Sequence, residues 1–226
     1  MCRSRLSQLV LGGAAFLTLG CGGSRVDELS TQLANGDVQV RRAAARSLKE
    51  LSGDKVRAIP ALTDAATQDD DLEVRRLSIQ ALGEIGPPAE ASISVLLQTL
   101  EDSPEAVQVA AALAIARIAP ERESYQPVLI RAMRAGNGGV LMAVGRLGED
   151  AKWAVPTLVE LLTHELVQIR SLAAHTLGQI GPAAKDAAPA LERMSRDRDP
   201  AVREVALQAL ESVRTAQSNS EQEIQK

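Results

Sequence analysis

Aromatic residues are almost absent from this sequence of 226 residues: Phe16, Tyr125 and Trp153 are the only ones. A compact globular core of this size normally contains more of them, because each aromatic side chain buries a large area. The other apolar residues are mainly Leu, Ile, Val and Ala. This composition favours an architecture whose core can be built from aliphatic residues alone.

A basic surface and the usual catalytic motifs are also missing. The chain carries 25 Lys and Arg against 29 Asp and Glu, and this formal net charge of −4 argues against nucleic acid as the main partner. Neither His164 nor His175 has a Cys or acidic residue around it at metal-ligand spacing. No Gly-rich phosphate loop follows a strand, and no Ser/His/Asp set is suggested. The sequence therefore predicts no metal, no cofactor, no small-molecule substrate and no catalytic residue.

What the sequence does contain is an internal repeat. The segment 74–87, VRRLSIQALGEIGP, returns at 169–182 as IRSLAAHTLGQIGP and in weaker form four more times. Three apolar positions recur in it: the first carries Val40, Val74, Val107, Ile169 and Val202; the second carries Leu48, Leu82, Ile115, Val144, Leu177 and Leu210; the third carries Leu51, Ile85, Ile118, Leu147, Ile180 and Val213. Successive copies of the second position are 34, 33, 29, 33 and 33 residues apart. A period of this size indicates a stack of two-helix units.

The repeat predicts one solenoid over residues 26–214. Half a unit at 26–34, equivalent to a second helix, precedes about five full units, and another half unit at 199–214 follows them. A proline stands near the start of most second helices, where its missing N–H does no harm: Pro60, Pro127, Pro156 and Pro189. Residues 215–226 are polar and unpatterned, and we predict a disordered tail there.

The fourth unit is irregular. The step from Pro127 to Pro156 is 29 residues, so about one helical turn is missing, and the local sequence 135–139 is AGNGG. Three glycines in four positions hold a helix poorly, which predicts a first helix shortened to about 140–147. The deletion is either harmless or creates a bend or groove that a partner could use.

The repeated motif resembles the short HEAT repeat of the bilin-lyase (PBS lyase) type. That pattern of Asp, Val-Arg, Ala, Ala-Leu-Gly and Ile-Gly-Pro is found most fully from Asp71 to Pro87 and again from Ile169 to Pro182. Tetratricopeptide repeats would need bulky aromatics at fixed places, and ankyrin repeats would need a Thr-Pro-Leu-His turn. The resemblance covers residues 26–214 and implies an all-α, right-handed α–α superhelix. It implies little about function, because the same units serve unrelated proteins.

Acidic and basic residues recur four positions apart at the starts of three first helices. The pairs are Asp37 with Arg41, Asp71 with Arg75, and Asp199 with Arg203. Each Asp can cap its helix while the Arg bonds back to it or to the adjacent unit. In HEAT proteins such residues form ladders through the stack, which implies a structural role. The ladder is interrupted at Gln108 and Asn137.

Residues 1–20 are interpreted as an export signal. Arg3 and Arg5 precede an apolar stretch at 6–19 that is too short to span a hydrocarbon core of ~30 Å as a helix. The alternative, a buried first helix, fits poorly with the Gly-rich sequence that follows.

Cys21 and the four residues before it resemble the lipobox of bacterial lipoproteins, which implies lipidation of Cys21 and cleavage before it. The sequence departs from that pattern at Thr18, where Leu is usual, and at Leu19, where a small residue is common. Residues 21–25 would then be the lipidated Cys and a short tether. A lipid would anchor the chain at the cell envelope, whereas a plain secretory signal would leave it periplasmic or secreted.

These features favour a non-enzymatic scaffold that presents its second helices to a protein partner. Candidate contact residues on those helices are Trp153, Tyr125, Arg131, Arg134 and Glu160. For the two aromatic residues, filling the edge of the core is the alternative. A different class of function is an enzyme or enzyme subunit like the bilin lyases, which attach a chromophore to a carrier Cys. That cytoplasmic chemistry conflicts with an export signal. A plainly secreted binding module is a further alternative.

Overall fold

The computed structural model describes residues 24–53 and 55–224, and this part of the chain is helical without any strand. Twelve α-helices follow one another: α1 Arg25–Asn35, α2 Val38–Glu50, α3 Ile59–Gln68, α4 Leu72–Ile85, α5 Ile93–Asp102, α6 Glu105–Ile118, α7 Gln126–Arg134, α8 Gly138–Gly145, α9 Val155–Leu161, α10 Val167–Ile180, α11 Ala188–Met194 and α12 Pro200–Ile224. Short 3₁₀ segments join the two helices within each unit: Val56–Ala58, Pro87–Ser92, Glu123–Tyr125, Gly148–Ala154 and Gly181–Ala187.

The helices form two layers. The first helices of the units, α2, α4, α6, α8, α10 and α12, contact one another in chain order. The second helices lie in the other layer, where α1 contacts α3, α3 contacts α5 and α7 contacts α9. Each unit therefore packs on its sequence neighbours, as the period predicts, and the all-α solenoid is confirmed.

One hydrophobic core runs along the stack from Val26 to Val213. The second apolar position of the repeat is its centre, since five of its six residues are 0% exposed and Leu210 is 9% exposed. Val40 is the exception in the first position, with 37% of its surface exposed. It lies in the first full unit, and within residues 24–53 and 55–224 no first helix precedes α2 to cover it.

Two glycines allow the first helices to approach closely. A Cβ at Gly83 would lie 3.0 Å from the Cα of Ala114, and one at Gly178 would lie 3.1 Å from the Cα of Ala209. These distances are shorter than ordinary van der Waals contacts, so α4 against α6 and α10 against α12 leave no room for a side chain. The small residue in the repeat motif therefore has a packing role.

The fourth unit is shortened, as predicted, but at a different boundary. Helix α8 begins at Gly138, two residues before the predicted start, and ends at Gly145. Asn137 explains the early start, because its side-chain oxygen accepts a hydrogen bond of 3.1 Å from the backbone N–H of Val140. The cap satisfies a backbone donor that two glycines in the first turn would otherwise leave exposed.

The last helix is longer than predicted. Where the sequence predicts a disordered tail from residue 215, α12 continues to Ile224. Extending an existing helix adds one backbone hydrogen bond for each residue fixed, and the Ala, Gln and Glu of this segment are good helix formers. The predicted export signal of residues 1–20 and the lipidation site Cys21 lie outside the described residues.

Candidate partner-binding face

The ladder residues form hydrogen bonds, but the arginines do not bond back to the capping aspartates; Arg75 and Arg203 instead bond to the adjacent unit, the other predicted alternative. Asp37 caps α2 by accepting hydrogen bonds of 2.9 and 3.0 Å from the backbone N–H groups of Gln39 and Val40. Arg41 donates to the carboxylate of Asp69, 28 residues away, at 2.7 and 3.0 Å. It also donates to the backbone carbonyl of Gly36 at 3.1 Å. The guanidinium of Arg41 thus joins the two ends of its own unit instead of pairing with Asp37.

Arg75 continues the ladder into the next unit. Its Nη1 donates to the backbone carbonyl of Asp69 at 2.7 Å. Asp71 caps α4 by accepting a hydrogen bond of 3.0 Å from the N–H of Val74. Asp69 therefore links an arginine of the first unit through its carboxylate and an arginine of the second unit through its carbonyl.

The same arrangement recurs near the end of the stack. Arg170 donates to the carboxylate of Asp197 at 3.0 and 3.2 Å, and Arg203 donates to the carbonyl of Asp197 at 3.0 Å. The backbone N–H of Asp199 donates to the same carboxylate at 2.9 Å. That hydrogen bond and the guanidinium of Arg170 lower the pKa of Asp197.

Sequence reasoning missed Asp69, Asp197 and Arg170. A signal was present, because each of these aspartates stands two residues before a predicted capping aspartate, in the repeated spacing Asp69-x-Asp71 and Asp197-x-Asp199. The recurrence of the same set of hydrogen bonds at Asp69 and at Asp197 supports a structural role for the ladder.

A further ion pair joins the first and second units. Arg42 Nε donates to Asp71 Oδ1 at 2.8 Å. This bond is the main reason that the pKa of Asp71 falls to about 2, and the cap bond from Val74 lowers it further. Asp71 is thus both the N-cap of α4 and the acceptor of an arginine on α2.

Tyr125 belongs to the core and is not a partner contact. Its side chain is 0% exposed, and its hydroxyl donates to the carbonyl of Pro120 at 3.2 Å. The ring of Trp153 stands edge-on to it, with centroids 5.7 Å apart and planes at 76°. Trp153 itself is half-buried against the core. Burial raises the pKa of Tyr125, in keeping with a phenol that stays neutral inside the protein.

The three charged candidates do lie on the surface of the second helices. Arg134 on α7 forms a forked ion pair with Glu160 on α9, with N–O distances of 3.0 to 3.1 Å. Arg131 donates to the side-chain oxygen of Gln108 at 2.9 Å. Other units have an arginine that donates hydrogen bonds at the ladder position of Gln108. Here the roles are reversed, because Gln108 accepts a hydrogen bond from an arginine on the second helix.

These residues belong to two positions that repeat on the second helices α3, α5, α7, α9 and α11, the fourth and the seventh after the proline near the helix start, which is replaced by Ser94 in α5. We call the ten exposed residues at these positions the second-helix face: Asp64, Thr67, Gln98, Glu101, Arg131, Arg134, Glu160, Thr163, Arg193 and Arg196. Their chemical type changes from unit to unit, whereas the buried positions remain aliphatic.

Grooves separate neighbouring second helices in the same register. The groove between α1 and α3 has a volume of about 540 Å³, that between α3 and α5 about 330 Å³, and that between α9 and α11 about 490 Å³. A ladder arginine lines each of them, Arg41, Arg75 and Arg170 in turn. Residues of the second-helix face border all three. The repeat therefore produces a series of similar clefts next to exposed polar side chains.

The described residues contain no group of three or more His, Cys, Asp or Glu side chains placed to hold a metal ion. Within the same part of the chain, no helix is both long enough and apolar enough to span a membrane. The charged groups of this face are paired or exposed on regular helices, an arrangement suited to contacts with another polypeptide.

This architecture defines a class of protein, the α-solenoids built from stacked two-helix units. A family model of HEAT repeats matches residues 26–97 and 139–211, and the chain belongs to this family. The comparison with curated proteins finds no match.

Solved structures share the fold. An engineered protein is 23% identical, with 85% of this chain and 98% of that chain covered and a TM-score of 0.54. The complex of CpcE and CpcF of phycocyanin lyase from Nostoc sp. PCC7120 is 22% identical, with 89% and 82% covered and a TM-score of 0.54. A second engineered protein is 22% identical, with 85% and 100% covered and the same score. At these identities the likeness is one of fold.

Proposed function

We propose that this chain is a non-catalytic scaffold that binds a protein partner along its second-helix face. The observation that carries the proposal is the series of grooves in one register, each bordered by exposed polar side chains. Extended surfaces of this kind are what stacked repeats offer to their partners.

An extended segment of a partner fits the spacing of the grooves. Neighbouring packed helices lie about 10 Å apart, and an extended chain advances about 3.3 Å per residue. About three residues of the partner would therefore pass each unit. Its side chains would enter the grooves, and its polar groups would meet the exposed residues of the second-helix face.

We further propose that the scaffold is anchored at the cell envelope through lipid on Cys21. The support is the pattern of residues 1–20, a basic start and a short apolar stretch, followed by Cys21 in a lipobox-like setting. The test is membrane fractionation of the full chain against Cys21→Ala. Loss of the membrane-bound form in the variant is expected, and equal fractionation of both would contradict the anchor.

The binding face is tested by photo-crosslinking with matched positions. A photoreactive amino acid replaces Gln98 on α5 or Gln208 on α12, both exposed glutamines, one in each layer. In envelope extract, Gln98 should capture one defined protein and Gln208 should not. That protein, made recombinantly, should then bind the purified chain at a fixed stoichiometry.

Equal capture from both positions, or failure of the captured protein to bind the purified chain, would contradict the proposal. An enzyme of the bilin-lyase kind would be revealed by a covalent adduct after addition of bilin and carrier protein. Such an adduct would also overturn the non-catalytic assignment.

A further inference from the structure

The charges of the second-helix face are sorted by sign along the stack. Its acidic residues in the first two units are Asp64 and Glu101, and these units contribute no basic residue to it. The last unit contributes Arg193 and Arg196 and no acid. All four side chains are exposed, and none of them forms an ion pair with another described residue.

The middle of the face is largely neutralised. Arg134 and Glu160 form an ion pair with each other across α7 and α9. Arg131 keeps its charge but is held by the side chain of Gln108. Apart from Arg131, the unpaired charges of the face therefore lie towards its two ends, acidic in the first two units and basic in the last.

The two end grooves reproduce this difference. Their ladder arginines are already neutralised, Arg41 by Asp69 and Arg170 by Asp197. In the groove between α1 and α3 the remaining charged groups are Asp64 and Asp70. In the groove between α9 and α11 they are Arg193 and Arg196, opposed by the single carboxylate of Glu165, so the basic charge is in excess.

Apolar side chains also line part of each end groove. Leu33, Ala61 and Ala65 line the first, and Val159, Leu162 and Met194 line the second. Such walls suit the aliphatic stems of long charged side chains, whose heads can then reach the charges at the rim. A Lys or Arg side chain fits the first groove, and a Glu side chain fits the second.

The separation of the two grooves sets the length of the segment between the charges. Four repeat steps of about 10 Å each place the grooves about 40 Å apart. An extended chain covers that distance with about 12 residues.

We propose that the segment bound by this face is an extended, charge-polarised peptide, with basic residues at one end and acidic residues about 12 residues away. This inference rests on the proposed scaffold function and names the chemistry of its partner. Charge complementarity at the two ends sets the orientation of the peptide, because reversing it would place like charges together.

Two synthetic peptides of 16 residues test the polarity. One has two lysines at one end, two glutamates at the other and Gly, Ser and Ala between them. The control has the same composition with the four charged residues alternating in its middle. Fluorescence anisotropy with the purified chain should show at least tenfold tighter binding of the polarised peptide. Raising the salt concentration should reduce the difference, since exposed charges are screened.

Matched variants reverse the charge of exposed residues at one end or the other of the second-helix face. Asp64→Lys with Glu101→Lys at one end, or Arg193→Glu with Arg196→Glu at the other, should each weaken the polarised peptide at least tenfold. Combining all four substitutions restores opposite charges at the two ends, and the peptide should then bind again in the opposite direction. Circular dichroism should show unchanged helix content in every variant.

The other outcomes separate this inference from the scaffold proposal. Equal affinity for both peptides, with crosslinking still confined to Gln98, would overturn the polarity and leave the scaffold function standing. Absence of any peptide binding, together with no capture at Gln98, would overturn both. Self-association without peptide, abolished by either reversal and restored by mixing the two variants, would assign the charged ends to a second copy of this chain and overturn the peptide.

Discussion

Tyr125 is the largest fully buried side chain in the described part of the protein, and it has few aromatic neighbours to share that task. It lies where α6, the 3₁₀ segment Glu123–Tyr125 and α7 meet, with Trp153 against its edge. In a core made mainly of Leu, Ile, Val and Ala, this one ring fills a volume that a single aliphatic side chain would leave partly empty. Its hydroxyl remains satisfied through Pro120.

Replacing Tyr125 by Ala should therefore destabilise the protein strongly. The expected loss is about 3–5 kcal/mol in the free energy of unfolding, because a large cavity forms in packed surroundings. Arg131→Ala, on the exposed side of the adjacent helix, should change stability by no more than about 0.5 kcal/mol. Urea denaturation of both variants measures the difference, and similar losses for the two would refute the buried position of the ring.

The role of a single residue could be predicted from the sequence where it depends only on neighbouring residues in the chain. An aspartate just before a helical pattern caps the helix that follows, so Asp37, Asp71 and Asp199 could be assigned from the sequence. The acceptors of Arg41 and Arg170 lie 28 and 27 residues away, and their position depends on where the second helix ends. The burial of Tyr125 was likewise open, since a residue at the start of a second helix can face the core or the edge.

Among the elements, α8 is the shortest first helix, with eight residues. The preceding Gly136 has a φ of +75°, a conformation that suits glycine and lets the chain turn directly from α7 into α8. The Asn137 cap then supplies the acceptor that this glycine-rich start needs. Short helices depend on their ends more than long ones, since few internal hydrogen bonds exist to offset an open end.

Asn137→Ala should cost about 1 kcal/mol, because the N–H of Val140 loses its acceptor. Asn137→Asp keeps an acceptor oxygen at the same position and should be close to neutral. Hydrogen exchange measured by mass spectrometry should show faster exchange in α8 for the alanine variant alone. Uniform acceleration across all helices would mean that the cap does not act locally.

The period of the sequence predicted well which segments form helices. It predicted less well the residues at which those helices begin and end. The missing turn of the fourth unit was visible in the spacing, whereas the start of α8 depended on a side-chain cap. The continuation of α12 to Ile224 was not visible, because the sequence of this segment has no apolar pattern. Helix propensity alone is a weak guide beside that pattern.

At the scale of the whole molecule, carboxylate–guanidinium pairs occur near both ends of the stack. Arg41–Asp69 and Arg170–Asp197 each join the start and the end of one unit, and Arg42–Asp71 joins two neighbouring units. Asp71 has a folded pKa of about 2, well below the value of about 3.9 expected in the unfolded chain. The folded state therefore holds this proton less tightly than the unfolded state. The resulting stability is fully present above about pH 4 and is lost as the pH falls through about 2.

Asp71→Asn keeps the cap on α4 but removes the charge that Arg42 binds. The stability of this variant should fall less steeply than that of the natural chain between about pH 4 and pH 2. Asp186→Asn removes an exposed carboxylate outside this ion pair and serves as the matched control. Chemical denaturation at a series of pH values makes the comparison, and parallel profiles for Asp71→Asn and the natural chain would contradict the assigned role of the pair.

The fourth position of the second-helix face holds four different residue types on a repeated helical frame: Asp64, Gln98, Arg131, Glu160 and Arg193. None of these side chains is needed to fill the interior. Mutations there can change the exposed chemistry at little cost in stability, whereas the aliphatic positions beneath them tolerate little change. The side chains that this surface presents can therefore change while the architecture stays the same.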